Sequence, residues 1–208
     1  MSKSEIGKII KSNSHIDYVC QIYGTGEAET VPESAEYKFG TFVAIELEDD
    51  DFGTQVADRQ LIGVIYDTLL MNPDYGNMGP RLSPRQETAV FTPDYLAETA
   101  TLVGVITLGW MDAKKIYHQG MPVISGTINN KVSALTQDEI CTFHTNSAEA
   151  PCMQYMPLLI NQSLSLAPQL IMTVIDNLIH LFDDENCKNQ LKLMRNHIAW
   201  KSVVQPVG

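Results

Sequence analysis

Few positions in this sequence combine side chains of the right type at a spacing that could do chemistry, and each set falls short of a complete site. Gly24-Thr25-Gly26 begins a G-x-G, the opening of loops whose amides cradle a pyrophosphate at a helix start. Glu29 stands where such a loop needs its third glycine, and Glu27 and Glu29 would repel a phosphate. The pair therefore reads as a turn in which a glycine takes a positive φ. Glu48-Asp49-Asp50-Asp51, with Asp58 nearby, offers oxygen ligands of the kind a divalent cation takes. It lacks the alternating spacing and closing Glu of a calcium loop, and reads instead as a solvated hairpin turn whose charges discourage pairing with other chains.

Cys141 and His144, three residues apart, could place a thiol and a base on one helical turn. No third group orients them and no oxyanion loop accompanies them. The other histidines, His15, His118, His180 and His197, form no H-E-x-x-H and no close pair, so neither zinc nor a proton relay follows. Cys20, Cys141, Cys152 and Cys187 include no C-x-x-C and read as buried free thiols. On these residues no catalytic group, metal site or cofactor is expected. One loop remains, "GNMGPRLSPRQE", where Arg81 and Arg85 sit among Gly and Pro in an acidic chain. Guanidinium groups on a stiff loop suit carboxylate or phosphate partners, so these two are the expected interaction residues. The competing reading pairs them with the chain's own Asp and Glu.

The elements that must position these residues fall into two parts. Ile6–Lys11 and Ile16–Tyr23 flank the turn formers "SNSH" and predict a first hairpin, with Ile16, Tyr18, Cys20 and Ile22 on one face. "FGTFVAIEL", "LIGVIYDTLL" and "TLVGVITLGWM" are further strands rich in β-branched and aromatic residues. Gly40, Gly63, Gly104 and Gly109 fall where bends or bulges would curl a small sheet into a barrel. Residues 71–99 are dense in Gly and Pro and predict a loop, with a short helix after Thr92-Pro93. Beyond about Thr136 the period changes. Leu170 or Ile171, Val174, Leu178 and Phe182 share a helical face, and Cys187, Leu191, Met194 and Ile198 form a second stripe that Asp183 or Asp184 can cap. An extra helix is expected near Met153–Gln162, and the tail helices are expected to pack on the barrel, because helices of this length need tertiary burial.

The 208 residues, 44% hydrophobic and 19% charged, suffice for a real core. A net charge of -11 leaves no basic field for a polyanion, so direct nucleic-acid binding is not expected. No apolar run reaches the roughly 20 residues of a membrane span, and the first ten residues lack a secretory pattern. The chain is expected to be cytoplasmic.

The strand set "IGKIIKSNSHIDYVCQIYGTGE … FGTFVAIELED … QLIGVIYD" resembles the HAS-barrel family, the N-terminal β-barrel of rotary ATP synthase catalytic subunits and HerA-type DNA-translocating ATPases. The resemblance rests on Gly7 early in the first strand, the turn at Gly24–Glu27, the central strand "FGTFVAIEL" and the Gly63–Tyr66 stretch "GVIY". It covers residues 5–70 and more loosely extends to 135. No G-x-x-x-x-G-K-[ST] occurs, and about 70 helical residues cannot build the parallel sheet that positions a P-loop.

The expected fold is mainly β with an α tail. A small closed or partly open HAS-like barrel (1–135) precedes a C-terminal helical hairpin (136–208). The resemblance implies a non-enzymatic assembly or docking module, a homo-oligomer or a partner of a separately encoded HerA-like ATPase, with a link to DNA processing by analogy. The rival expectation is a small-ligand-binding protein or enzyme whose site lies between barrel and helices and uses Cys141, His144 or Arg81.

Overall fold

The computed structural model of the chain describes residues 4–28, 30–47, 59–71, 100–162 and 164–204. Among these, the strands are β1 (Glu5–Ser12), β2 (Asp17–Ile22), β3 (Phe42–Glu46), β4 (Gln60–Met71), β5 (Ala100–Met111), β6 (Tyr117–Gln119) and β7 (Lys131–Ala134). The helices are α1 (Gln137–Phe143), α2 (Met156–Asn161), α3 (Ala167–Leu181) and α4 (Glu185–Val204).

Six strands close an antiparallel barrel in the cyclic order β1-β2-β5-β4-β3-β7, with β7 returning to β1. The extra strand β6 extends the sheet beside the last residues of β5, where Trp110 faces His118 in register. Strand β5 is long enough to serve both neighbours on one edge. Leu102–Ile106 pair with β2, and Gly109–Met111 pair with β6.

Side-chain alternation divides the strands between two cores. Ile6, Tyr18, Cys20, Val43, Ile45, Leu61, Ile65, Val103, Val105 and Val132 point into the barrel and fill it. The alternate set, Phe42, Ala44, Ile62, Val64, Ile106 and Leu108, points outward and is covered by helices through Phe143, Leu159, Leu170, Ile171, Val174 and Leu178. The tail thus packs on the chain's own barrel. Its stripes follow the periodicity: Leu170, Ile171, Val174 and Leu178 of α3 are buried, as are Cys187 and Leu191 of α4. Asp184 Oδ2 accepts from the Cys187 amide at 2.9 Å and caps α4. Arg195 of α4 holds Asp176 of α3 through two hydrogen bonds, fixing the helical pair.

Irregularities occur near the expected glycines. The β4–β5 register slips between Ile62 and Gly63 and again between Ile65 and Asp67, which leaves Tyr66 bulged opposite Gly104. A Cβ on Gly104 would lie 2.8 Å from the Tyr66 ring, so the glycine admits an aromatic ring whose hydroxyl reaches Asp17 Oδ1 at 2.8 Å.

The turn after β2 resolves the G-x-G. Gly26 has φ +89°, a left-handed conformation that glycine adopts without strain. The Gly24 amide donates to the Glu27 carboxylate at 2.8 Å, so the anion at this turn is the protein's own side chain.

Three short elements escaped the sequence reading. Strand β7, only four residues long, closes the barrel between β1 and β3. Helix α1 starts at a capping box in which the Thr136 hydroxyl accepts from the Glu139 amide and the Glu139 carboxylate accepts from the Thr136 amide. Strand β6 is only three residues long and half-buried throughout.

Candidate functional site

The strand registers place one end of the barrel. The β1–β2 turn, the end of β3, the start of β4 and the end of β5 all lie at this mouth, because β5 runs antiparallel to both β2 and β4. A segment running from β6 to β7 crosses it. His15 in the β1–β2 turn bonds the Pro122 carbonyl through Nε2 at 2.9 Å. Tyr18 donates its hydroxyl to the His15 carbonyl at 2.6 Å and accepts from the Gly126 amide at 2.9 Å. The crossing segment is therefore tied to the barrel at two points.

Between this segment and the strands lies a cavity of about 330 Å³ lined by Leu47, Arg59, Leu61, Trp110, Met111, Asp112, His118, Pro122, Val123 and Ile124. Its volume falls in the range of small-molecule sites, and a barrel mouth is a common place for one. Leu47 and Leu61, its apolar floor, belong to the inner core. Its polar wall comes from the β5–β6 hairpin. Trp110 and His118 stack with centroids 5.0 Å apart and planes 19° off parallel, a cross-strand pair of the kind that fixes a hairpin.

Asp112 at the head of that hairpin is fully engaged. Its Oδ1 accepts from the Lys114 and Ile116 amides at 2.9 and 3.0 Å, and its Oδ2 meets His118 Nε2 at 3.0 Å. The hydrogen bond from His118, followed by those from the turn amides, holds the Asp112 carboxyl below the usual range. Arg59 enters from the start of β4, where its carbonyl accepts from Leu47. Its Nε is shut away from solvent and has no hydrogen-bond partner among the described residues.

A second concavity, of about 400 Å³, lies between barrel and helices, with Glu36, Lys38, Gln137, Asn177 and His180 among its lining. Cys141 and His144 do not join it. His144 is buried between Phe42, Phe143 and Tyr155. Its Nδ1 lies 2.8 Å from the Ile140 carbonyl and its Nε2 lies 2.7 Å from the Tyr155 hydroxyl. A carbonyl only accepts, so Nδ1 carries the proton and Nε2 accepts from Tyr155. Burial lowers the ring's pKa to about 4, which keeps it neutral. The Cys141 sulfur instead points at the Leu181 carbonyl, 3.9 Å away. Burial, with Asp138 and Asp183 beside it, pushes this thiol up, which is opposite to what a nucleophile needs.

The remaining sequence candidates are dispersed. Arg81 and Arg85 lie outside the described residues, as do Glu48–Asp51 and Asp58. His180 and His197 are exposed on α3 and α4. Among the described residues, no three His, Cys, Asp or Glu side chains converge as a metal set, and no helix is long and apolar enough to cross a membrane. Arg59 and Trp110 were not singled out in the sequence. The only available signal was their position at strand ends, where barrels commonly build sites.

No curated protein matches the sequence significantly. A family model does match, over residues 1–207, and its description is "Domain of unknown function (DUF8166)". The chain belongs to this DUF8166 family.

Proposed function

We propose that the chain is a non-enzymatic assembly or docking module that binds protein through the mouth of its barrel. One observation carries this reading: Ile116 in the β5–β6 turn and Met121, Val123 and Ile128 on the crossing segment are each more than half exposed, and Val123 reaches 89%. Apolar side chains gathered next to a concavity mark binding surfaces more often than lone exposed ones do. The segment is also anchored through His15 and Tyr18, so little ordering would be required when a partner arrives.

The partner is a second copy of the chain or, following the HAS-barrel resemblance, a separately encoded HerA-like ATPase. In the second case the module serves a DNA-processing machine without touching DNA, in keeping with its acidic charge. Arg81 and Arg85 remain part of this proposal as contacts for a carboxylate or phosphate group.

The test is a light-scattering mass of the purified protein, joined to affinity capture from its native lysate. A stable oligomer, or capture of a nucleotide-binding ATPase, supports the reading. A monomer that captures no protein overturns it.

A further inference from the structure

The mouth cavity contains one feature that docking through the exposed rim leaves unused. Arg59 lines this largely apolar space, and its Nε–H, cut off from water, lacks an acceptor among the described residues. A buried donor without an acceptor is costly, and native interiors hold few of them. The carboxylate within the same cavity does not supply the missing bond. Both oxygens of Asp112 are occupied by its own turn and by His118.

We propose that this cavity binds a small organic carboxylate, with the acid group on the Arg59 guanidinium and an apolar body against Leu61, Trp110, Met111 and Ile124. Guanidinium and carboxylate match in planar, two-point geometry. The apolar walls favour a hydrocarbon or aromatic body over a hydrated one. At about 330 Å³, the space suits a compact acid.

The inference does not rest on the docking proposal, and the two fail separately. One is read from ligand binding and the other from mass. The free acid of a small molecule and the C-terminal carboxylate of a peptide share this chemistry, and the experiment distinguishes them.

The experiment titrates benzoate into the full chain by calorimetry, with benzyl alcohol as the neutral control. Trp110 fluorescence in a Trp200→Phe background gives a second readout. Saturable benzoate binding that falls at least tenfold in Arg59→Met, and several-fold in Arg59→Lys, is expected, with no response to benzyl alcohol. Circular dichroism and a cooperative melt establish that each variant is folded. If Arg59→Met is misfolded, Arg59→Lys alone carries the comparison. Absence of saturable binding, equal binding of the alcohol, or binding unaffected by the folded Arg59 variants overturns the proposal. An acetylated Leu-Phe dipeptide, as free acid and as amide, completes the set. If the free acid binds tighter than benzoate and the amide does not bind, the source is a protein C-terminus. If benzoate is the tighter ligand, the source is a small acid.

Discussion

The Tyr155 hydroxyl donates to His144 Nε2 across 2.7 Å at a point where both side chains are fully buried. His144 closes α1 and Tyr155 precedes α2, so this bond joins the two short helices over the outer face of the barrel. The arrangement is a neutral, doubly satisfied histidine and explains why His144 is not available to Cys141.

That relationship predicts a pH dependence. The folded-state pKa of His144, about 4, lies below its unfolded value near 6.5. As pH falls, the unfolded chain takes up the proton first, so stability declines between pH 6.5 and 4 and the decline ends below both values. The loss approaches about 3 kcal/mol at roughly 1.4 kcal/mol per pKa unit. Asp112 and Asp184, whose carboxyls are held low, add their losses below this window. Urea midpoints of wild type and His144→Phe at pH 7 and 4.5 check the assignment. The wild type drops steeply and the variant, although less stable at pH 7, drops less. Equal slopes would remove His144 as the cause.

Gln119 is a second joint. Its Nε2 donates to the Phe143 and Cys152 carbonyls at 2.7 and 2.9 Å, and its Oε1 accepts from the Gln154 amide at 2.6 Å. Gln119→Leu leaves two carbonyls in a half-buried place, and the exposed Gln154 amide, without their partner. We expect a loss of about 2 kcal/mol by urea denaturation, with barrel circular dichroism retained.

Much of this fold was legible in the sequence because its cause is local. The first hairpin, the three long strands and the two stripes of the tail follow from periods of 2 and 3.6, and Asp184 was among the candidate caps. Helix α1 was also signalled, by Thr136 and Glu139 three apart, but its seven residues bury only Phe143 and so lack a stripe. The site was not legible for a different reason. Arg59, Trp110 and His118 come together only through barrel closure and the three-residue strand β6, neither of which leaves a periodic trace.

Gly109 shows how tightly β6 sits on β5. A Cβ there would collide with the His118 carbonyl oxygen and come within 2.9 Å of the Phe143 ring. The first of these is backbone and cannot swing aside. Gly109→Ala is expected to cost about 2 kcal/mol or more and to separate β6 from β5. Loss of amide-exchange protection at Gly120, which donates to the Leu108 carbonyl, and at Trp110, which pairs with His118, with β1 and β2 unaffected, would register that local effect.

The four cysteines differ in access. Cys20 is buried, and burial pushes its thiol up to about 12; Cys187 is buried as well, while Cys141 and Cys152 are half-buried. Native protein treated with a disulfide reagent at pH 8 should therefore show at most two reactive thiols, Cys141 and Cys152, and four after denaturation. Peptide mapping identifies the labelled sites. Early labelling of Cys20 would contradict the closed barrel.

The most direct test of docking through the barrel mouth is the light-scattering mass of wild type beside Val123→Asp, a substitution at a side chain 89% exposed that leaves the core untouched. The account predicts an oligomer or a captured ATPase complex for wild type, and loss of that assembly in Val123→Asp with an unchanged melt. The same monomeric mass for both proteins, with no complex captured by either, would contradict it.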